Sequence, residues 1–453
     1  MPTIPEMVTL TNSSVDILNV IRENATQNYK DYVPVATSDA ESVRAIGSII
    51  MDYPSLQNEF LSALVNRIGR VVLSSKSYQN PWGIFKQGLL EFGETVEEIF
   101  VNIAKPFQFD PRTSESTIFK REIPDVRSAF HIMNYQKYYK TTVQNDQLRQ
   151  AFLSWQGITD LISKIIDALY TGANYDEFLT MKYLLARNIL NGRLYPVEIP
   201  SVEKANMSDI VSVIKGQSNT LEFLTDKYNV AGVYTNTLKN DQYLLVNSKF
   251  DATMDVEVLA SAFNMDKAEF TGHRVLVDGF GILDSSRLSE LFANDPNYVE
   301  ITAEELVALD LIPCVMVDKS WFMIFDNFFN MTEQYNGEGL YWNYWYHTWK
   351  TFSVSPFANN SLFIPGTPAI ESVSVSPATV TLLAGQELFL TANVVTHYFA
   401  PKSVVWSVVS GTGATVSIGG KVSLSATATG TIKIRASSTF DNTKYGECTI
   451  TVS

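Results

Sequence analysis

The stretch DQLRQAFLSWQGITDLISKIIDALY, from Asp146 to Tyr170, decides the fold that we expect for this chain. Its apolar residues recur at alternating steps of three and four, which places them on one face of a helix. They are Leu148, Ala151, Phe152, Trp155, Ile158, Ile162, Ile165, Ile166 and Leu169. Asn145 or Asp146 can cap the start, and Gly172 occupies the position of a left-handed C-terminal cap. The pattern predicts a helix about 37 Å long, at ~1.5 Å per residue.

An extended arm and a second helix flank this long helix. The second helix is predicted over Asp176–Asn191 and ends at Gly192. In the arm, residues 78–143, prolines and glycines exclude helices, while Thr95–Ile103 and Ser116–Ile123 resemble strands. We predict a long two-stranded hairpin, whose arms of about fifteen residues would reach about 50 Å at ~3.3 Å per residue. Because an isolated two-stranded ribbon is marginal in water, we expect it to lie on a neighbouring subunit.

The hairpin carries the candidate contacts with that neighbour. Its acidic residues could in principle hold a cation, but on an exposed arm they fit better as one half of ion pairs with a neighbour. Its phenylalanines are candidate anchors. The candidate contact residues are Glu94, Glu97, Glu98, Phe107, Phe109, Phe119, Lys120 and Arg121.

The remaining body of the chain mixes helices and strands. In residues 1–77 we predict helices over Val15–Asn24 and from Pro54 to Gly69, then a strand at Arg70–Leu73. Residues 197–316 look α/β, with an acidic segment, Asp284–Asp310, that is expected to be helical and solvated. The predicted elements there are helices at Asp209–Lys215 and Met254–Phe263 and strands at Tyr243–Asn247, Val275–Val277 and Cys314–Val317.

An unusually aromatic run, Gly339–Phe357, follows the strand-like Trp321–Phe325. Its large rings alternate on both faces, so we predict a strand that is buried on both sides. His347 within it is expected to be a hydrogen-bonded packing residue. Stacking of sugars or bases on these rings is the less favoured alternative, because no basic residues lie beside them.

The composition changes sharply after Pro365-Gly366-Thr367-Pro368. Residues 369–453 are rich in Val, Thr, Ser, Ala and Gly and contain seven short alternating segments separated by turn signals. We predict an immunoglobulin-type β-sandwich with Trp406 in its core. Cys448 has no partner cysteine in this module, so we expect no inter-sheet disulfide.

The chemistry expected of the chain is structural. A net charge of −14 argues against a protein that grips nucleic acid through its backbone. Two distant cysteines and four histidines do not make a zinc site, and Asp278-Gly279-Phe280-Gly281 is better explained as a turn than as half of a dinucleotide fingerprint. We predict no catalytic site, no cofactor and no metal. No signal peptide or membrane span is expected, so the protein is predicted to be made in a cytoplasm.

Five stretches in the same order resemble the major capsid protein of phi-29-like, short-tailed bacteriophages. They are RIGRVVL at Arg67–Leu73, FGETVEEIFVNIAKPFQFD at Phe92–Asp110, FNMDKAEFTG at Phe263–Gly272, WFMIFDN at Trp321–Asn327 and GLYWNYWYHTWKTFSVSPFAN at Gly339–Asn359. The C-terminal module resembles a group-2 bacterial Ig-like domain. The segment near Asp284–Asp310 looks like an insertion relative to the family.

The resemblance implies an α+β fold of the Hong Kong 97 capsid type plus a C-terminal Ig-like β-sandwich. The implied parts are residues 1–77 as the N-terminal region and start of the peripheral domain, 78–143 as the E-loop hairpin, 144–196 as the spine helix and second helix of the peripheral domain, 197–316 as the axial domain, 317–366 as peripheral strands, and 367–453 as the Ig-like domain. It also implies a head shell, icosahedral or prolate, built from pentamers and hexamers around packaged double-stranded DNA, with a scaffolding protein and a portal as further partners. The protein would assemble in the host bacterial cytoplasm and reside in the virion.

Two other classes of protein remain open at this point. A secreted adhesin or wall-binding protein would explain the Ig-like module, but it would need an export signal. An enzyme with an accessory Ig-like domain would explain the α/β part, but no constellation of polar residues supports it.

Overall fold

The computed structural model describes residues 14–37, 40–71, 78–90, 95–107, 121–153, 157–261 and 273–453. Its helices are α1 Ser14–Asn24, α2 Gln27–Tyr32, α3 Ala40–Asp52, α4 Pro54–Val71, α5 Asn145–Leu153, α6 Gly157–Leu190, α7 Met207–Thr220, α8 Ser248–Ser261, α9 Ser285–Leu291 and α10 Ala303–Asp310. Strands β1 to β11 are Lys86–Leu89, Thr95–Val101, Val126–Ile132, Tyr135–Gln144, Pro196–Glu198, Gln242–Asn247, Arg274–Val277, Cys314–Asp318, Phe322–Asn336, Tyr341–Val354 and Asn360–Ile364. Strands β12 to β20 are Ala369–Ser376, Thr379–Leu382, Glu387–Phe389, Thr391–His397, Val404–Ser410, Ala414–Val416, Lys421–Leu424, Gly430–Ser438 and Tyr445–Val452.

The chain forms two compact units. The first comprises Met1–Val96, His131–Thr180 and Ile324–Phe352. The second comprises Glu97–Phe130, Met181–Met323 and Ser353–Ser453.

The long helix differs from the prediction at its C-terminal end. Gly172 does not cap a helix, because α6 continues through it to Leu190 and is 34 residues long, or about 51 Å. A glycine inside a helix costs only ~1 kcal/mol relative to alanine. Burial of Leu169 and Ala173 on either side of it outweighs that cost. Helix α6 therefore contains the end of the first predicted helix, from Gly157, and the second predicted helix as far as Leu190. The start of the first predicted helix is α5, Asn145–Leu153, and residues 154–156 between α5 and α6 lie outside the described residues.

The predicted end of the second helix at Gly192 is confirmed. Gly192 has a left-handed φ of 66°, and its N–H donates to the carbonyl oxygen of Ile189 at 2.9 Å. The Arg193 N–H donates to the carbonyl oxygen of Asn188 at 3.0 Å. These two bonds satisfy carbonyl groups that a helix end leaves without a partner.

In the first unit, helices build one side of the core. The predicted helices near Val15–Asn24 and from Pro54 are confirmed as α1 and α4. The strand predicted at Arg70–Leu73 is wrong over Arg70 and Val71, because α4 runs through Gly69 to Val71. Helix propensities differ by less than 1 kcal/mol for such residues, so the local preference was a weak guide. Buried members of this core include Ile17, Leu18, Ile21, Ile46, Ile50, Phe60, Leu148 and Phe152.

A four-stranded sheet in the order β1-β9-β10-β4 completes the first unit. Strands β4 and β10 are antiparallel, with Tyr135 opposite Lys350 and Gln144 opposite Tyr341. The prediction that the aromatic strand is buried on both faces is wrong. Trp342 and Tyr344 are buried in the core, whereas Trp349 on the other face is 36% exposed. The helical core covers one face of the sheet, so only alternate rings are buried.

The second unit contains a five-stranded sheet in the order β5-β11-β8-β6-β7. Strand β6 is antiparallel to β8 and parallel to β7. The strands predicted at Tyr243–Asn247 and Cys314–Val317 are confirmed, and the helix predicted at Asp209–Lys215 lies within α7. The helix predicted at Met254–Phe263 begins earlier, as α8, and residues 262–272 lie outside the described part. The core includes Ile210, Ile214, Val246, Met316 and Phe363.

The C-terminal module has the predicted β architecture. All seven predicted segments are strands, and two more, Thr391–His397 and Ala414–Val416, lie between them. Trp406 packs half-buried against a core that includes Ile432, Ile434 and Ile450. Cys448 is free and fully buried, so no disulfide joins the sheets.

Candidate subunit interface

Strands β2 and β3 pair to form a two-stranded ribbon. It lies in the segment where the sequence predicts a hairpin that contacts a neighbouring subunit. The strand predicted at Thr95–Ile103 is present as Thr95–Val101. The strand that pairs with β2 is Val126–Ile132. The strand predicted at Ser116–Ile123 lies outside the described residues as far as Lys120, and its last three residues are not in a strand. Pro124 cannot donate a ladder hydrogen bond, and the paired strand starts after it. The strands are seven residues each, shorter than predicted, and residues 108–120 between them lie outside the described residues.

The inner face of the ribbon lies on the chain's own second unit. The Ser355 hydroxyl donates to Oε1 of Glu98 at 2.8 Å, and the Phe100 ring stacks on Phe357 with 5.5 Å between centroids. Arg127 donates to the carbonyl oxygen of Ala231. The sequence predicts that the ribbon lies on a neighbouring subunit. The ribbon finds support for one face within its own chain, because a bare ribbon is marginal in water.

The outer face of the ribbon is apolar and uncovered in the single chain. Ile99 is 60% exposed, Val101 59% and Phe130 60%. Glu97 stands in the same row as Ile99 and Val101 and is also exposed. Covering such a side chain contributes about 1.5–3 kcal/mol, so an uncovered row of this kind marks a contact surface. We call Glu97, Ile99, Val101 and Phe130 the outer ribbon face.

The eight residues singled out from the sequence fall in different places. Glu97 is on the outer ribbon face and Glu98 on the inner face. Phe107 and Arg121 are exposed beyond the ends of the strands, Phe107 to 71%. The other four lie outside the described residues: Glu94, Phe109, Phe119 and Lys120.

Sequence reasoning missed the apolar residues of the outer ribbon face. Their signal was present in TVEEIFV, where Ile99 and Val101 alternate with Glu98 and Phe100. Alternation shows that two faces differ. It does not show which of the two faces is covered by the chain itself. For that reason phenylalanines beyond the strand are the candidate anchors predicted from the sequence.

The four-stranded sheet presents a second uncovered surface. In the antiparallel register Tyr138 faces His347 and Lys140 faces Trp345. Tyr138 is 62% exposed, and the Lys140 ammonium lies 5.6 Å from the centroid of the Trp345 ring. The Trp349 and Phe328 rings are 4.7 Å apart at their centroids. We call this set the aromatic face: Phe328, Tyr138, Lys140, Trp345, His347 and Trp349.

A buried ion network holds this sheet to the long helix. Glu177 on α6 is 2% exposed and pairs through Oε2 with Nζ of Lys350 on β10 and, at 3.2 Å, with Nζ of Lys86 on β1. Asp326 on β9 pairs with Lys86 at 2.6 Å and with Lys350 at 2.8 Å. Asn80 donates to Oε1 of Glu177 at 2.7 Å. The network joins one helix and three strands, so it fixes the aromatic face on a rigid support.

The protonation states of this network follow from its geometry. Burial alone would raise the pKa of Glu177, but the Lys350 and Lys86 ammonium groups outweigh it and hold the pKa below its ordinary value. The pKa of Asp326 is lowered against burial in the same way. Burial would lower the pKa of Lys350, but the two carboxylates raise it. Glu177, Asp326 and Lys350 are therefore charged at neutral pH.

Two histidines and the Asp278-Gly279 turn, which are candidates for catalytic chemistry by residue type, make packing and hydrogen-bond contacts instead. His347 Nε2 lies 3.3 Å from the Thr332 hydroxyl, and His131 is buried. Asp278 accepts a hydrogen bond from Lys182 and one from the Gly279 N–H. The next helix, α9, begins only at Ser285, and the carboxylate of Asp284 caps its start. No group of three or more His, Cys, Asp or Glu residues in the described ranges could hold a metal ion. No helix among these residues is long and apolar enough to cross a membrane.

Comparisons with known proteins point to one family. The family model of the Phi29-like phage major capsid protein matches residues 18–364, and that of the group 2 bacterial Ig-like domain matches residues 369–447. The major capsid protein of Bacillus phage B103 is 36% identical over 430 residues, which cover 93% of this chain and 89% of that protein. The major capsid protein of Streptococcus phage Cp-1 is 28% identical over 363 residues, 77% of this chain and 93% of that protein.

A solved structure shows a similar fold. The capsid structure of Staphylococcus phage Andhra contains a chain that is 17% identical and superposes with a TM-score of 0.50. The superposition covers 65% of this chain and 86% of that one. At this identity the likeness concerns the fold alone.

Proposed function

Because the chain belongs to the Phi29-like phage major capsid protein family, we propose that each copy binds the next copy through the outer ribbon face. The protein is a major capsid protein with a Hong Kong 97-like fold and a C-terminal group 2 Ig-like domain, and it is a component of the virion. These relationships support a capsid function and not a secreted adhesin. The single observation behind the proposed contact is the uncovered apolar row of Ile99, Val101 and Phe130.

The aromatic face of the next copy is the proposed acceptor. Both surfaces are apolar, exposed and carried by sheets, which suits flat packing of one on the other. Their charges are complementary, since Glu97 is acidic and Lys140 on the aromatic face is cationic. Pairing across the contact would set register and exclude wrong partners more than it would add affinity.

This contact is heterologous, because two different surfaces meet. Repeated head-to-tail contacts close into rings when the rotation between copies allows it. We propose that these rings are the pentamers and hexamers of the shell. Obligate interfaces of this kind bury about 2,000 Å² or more, so the ribbon contact supplies one part of a larger interface.

The proposed domain assignments and partners follow the family resemblance. Residues 78–143 would be the E-loop, 144–196 the spine region, 197–316 the axial domain and 317–366 the peripheral strands. A scaffolding protein and a portal would take part in assembly in the host cytoplasm. Packaged double-stranded DNA would be enclosed without sequence-specific binding, which the net charge of −14 supports. We assign the protein no enzymatic role.

A charge exchange tests the ribbon contact. Glu97→Lys and Lys140→Glu should each abolish particles seen by electron microscopy, because like charges then face each other across an apolar contact. The double variant should restore them. Glu371→Lys makes the same change of charge on the exposed surface of the Ig-like module and should leave particles unaffected.

Two outcomes would contradict the proposal. One is normal particle yield from either single variant. The other is a double variant that folds, as judged by circular dichroism, and still gives no particles. The first would show that the ribbon face is not a contact, and the second that Lys140 is not its partner.

A further inference from the structure

The Ig-like module touches the C-terminal end of the long helix α6 through one loop. Lys402, in the loop between β15 and β16, donates from Nζ to the carbonyl oxygen of Leu190 at 3.0 Å. Carbonyls in the last turn of a helix have no helical partner and carry partial negative charge. An ammonium group from the module therefore completes the end of the helix.

The residue just past that helix end is fitted to the same loop. A Cβ added to Gly192 would lie 2.7 Å from the carbonyl oxygen of Ala400 and 3.0 Å from the backbone nitrogen of Lys402. Real Cβ atoms do not approach backbone oxygen that closely, so the glycine is required for contact with the module. Its left-handed φ of 66° is a separate requirement.

The loop itself is held in an unfavourable conformation. Tyr398 and Phe399 have φ values of 50° and 57°, in the left-handed region that residues with side chains rarely adopt. Such strain persists only where the surroundings impose it. The Tyr398 ring lies against Gly366 in the linker, where a Cβ would come within 2.6 Å of the ring.

Two further contacts lie on the same side of the module. The Thr367 hydroxyl donates to Oε1 of Glu198 at 2.7 Å. The rings of Tyr195 and Phe440 are 6.3 Å apart at their centroids. Linker, loop and module are thus each joined to the segment that follows α6.

We propose that residues 398–402 fix the Ig-like module to the C-terminal end of α6. The module is then a rigid part of the subunit and not a domain on a flexible tether. Its remaining surface is presented at a constant orientation in every copy, before and after any association between copies.

The test measures whether the module tumbles with the rest of the chain. Ile418 is 93% exposed, while Cys314 and Cys448 are fully buried, so Ile418→Cys gives one reactive site for a fluorescent dye. Apart from the local rotation of the dye, which every variant shares, fluorescence anisotropy decay of the full chain should show slow tumbling only. Gly192→Asn should add a fast component, because asparagine accepts the left-handed conformation but its Cβ collides with Ala400.

Gly232→Asn is the matched control. Gly232 has a similar φ of 61°, and a Cβ there meets nothing within 4 Å, so its decay should equal that of the native chain. Lys402→Met removes the ammonium group and its hydrogen bond to Leu190 while keeping the length of the side chain, and it should raise the undocked fraction about fivefold. Lys402→Met takes the place of Gly192→Asn in the same measurement if Gly192→Asn does not fold.

The proposal is overturned if the native chain already shows the component that Gly192→Asn is expected to add. It is equally overturned if neither Gly192→Asn nor Lys402→Met changes the decay, or if Gly232→Asn changes it as much as they do.

Discussion

Ile99 and Phe100 are neighbours in one strand, yet their side chains have different surroundings. The Phe100 ring is stacked on Phe357 of the same chain, whereas Ile99 points to the opposite side and is 60% exposed. The alternation of strand side chains thus separates residues that stabilise the subunit from residues available to a second copy.

Substitutions at these two positions should separate folding from assembly. Ile99→Ser should leave the free energy of unfolding within about 0.5 kcal/mol of the native value, because Ile99 is exposed in the subunit, and should reduce particle yield. Phe100→Ala should lower the free energy of unfolding by about 2 kcal/mol through lost packing. Urea unfolding and electron microscopy measure the two effects. Equal loss of stability in both variants would contradict the assignment of faces.

The buried carboxylate Glu177 gives the first unit a pH dependence with a definite sign. Its folded pKa lies below the unfolded value of ~4.3. The stability that it contributes is therefore present above that pH and is lost as the pH falls through the folded pKa. For Lys350 the folded pKa is raised above ~10.4, so its contribution is present below that pH and lost as the pH rises further.

Glu177→Gln should therefore destabilise the protein at pH 7 by about 3 kcal/mol, since it leaves two buried or half-buried ammonium groups with one carboxylate. The difference from the native chain should shrink as the pH falls below the unfolded pKa of ~4.3, because the unfolded chain then takes up a proton at Glu177 that the folded chain does not. Urea unfolding at pH 7 and pH 3.5 measures it. A difference of the same size at both pH values would show that Glu177 does not act through its charge.

At the scale of elements, two glycines within helices differ in whether a neighbouring helix packs closely against them. A Cβ on Gly47 in α3 would lie 2.6 Å from the Phe152 side chain of α5, whereas one on Gly216 in α7 would meet nothing within 4 Å. The first glycine lets two helices approach each other, and the second has no such role.

Alanine at these two glycines should therefore have opposite effects. Gly216→Ala should raise the free energy of unfolding by up to about 1 kcal/mol, through helix propensity and a less flexible unfolded chain. Gly47→Ala should lower it by about 1–3 kcal/mol through overpacking. Thermal unfolding followed by circular dichroism measures both. Stabilisation by Gly47→Ala would contradict the close contact of α3 with α5.

Most elements could be predicted from periodicity, and the errors have physical causes. The strands Tyr243–Asn247 and Cys314–Val317 lie in a sheet interior, where a short apolar run is enough to identify them. Gly172 misled the prediction because a local propensity of ~1 kcal/mol is smaller than the burial around it. The aromatic strand was assigned two buried faces because ring content alone does not show how many layers cover a sheet.

The proposed contact surface is less predictable than the fold. The sequence indicates the ribbon, but the outer ribbon face depends on which side of it Ser355 and Phe357 occupy, and these residues are more than 250 positions away along the chain from Glu98. Tyr138 and Trp349 are more than 200 positions apart in the sequence and lie on one face only because β4 pairs with β10. Long-range placement of this kind leaves no local pattern.

At the scale of the whole molecule, the Ig-like module is expected to be separable from shell building. It has its own buried core and its own family relationship, residues 369–447. Truncation after Ile364 should leave particle yield close to that of the full chain in electron micrographs. Complete loss of particles with a folded subunit would show that the module contributes to the shell itself.

We propose that a neighbouring copy covers the outer ribbon face in the assembled shell. A cryo-electron microscopy reconstruction of the particle tests it most directly, because it shows what surrounds Ile99, Val101 and Phe130. We predict that these side chains are buried against the aromatic face of the next copy, with Glu97 beside Lys140. A shell in which the three side chains face solvent would contradict the account.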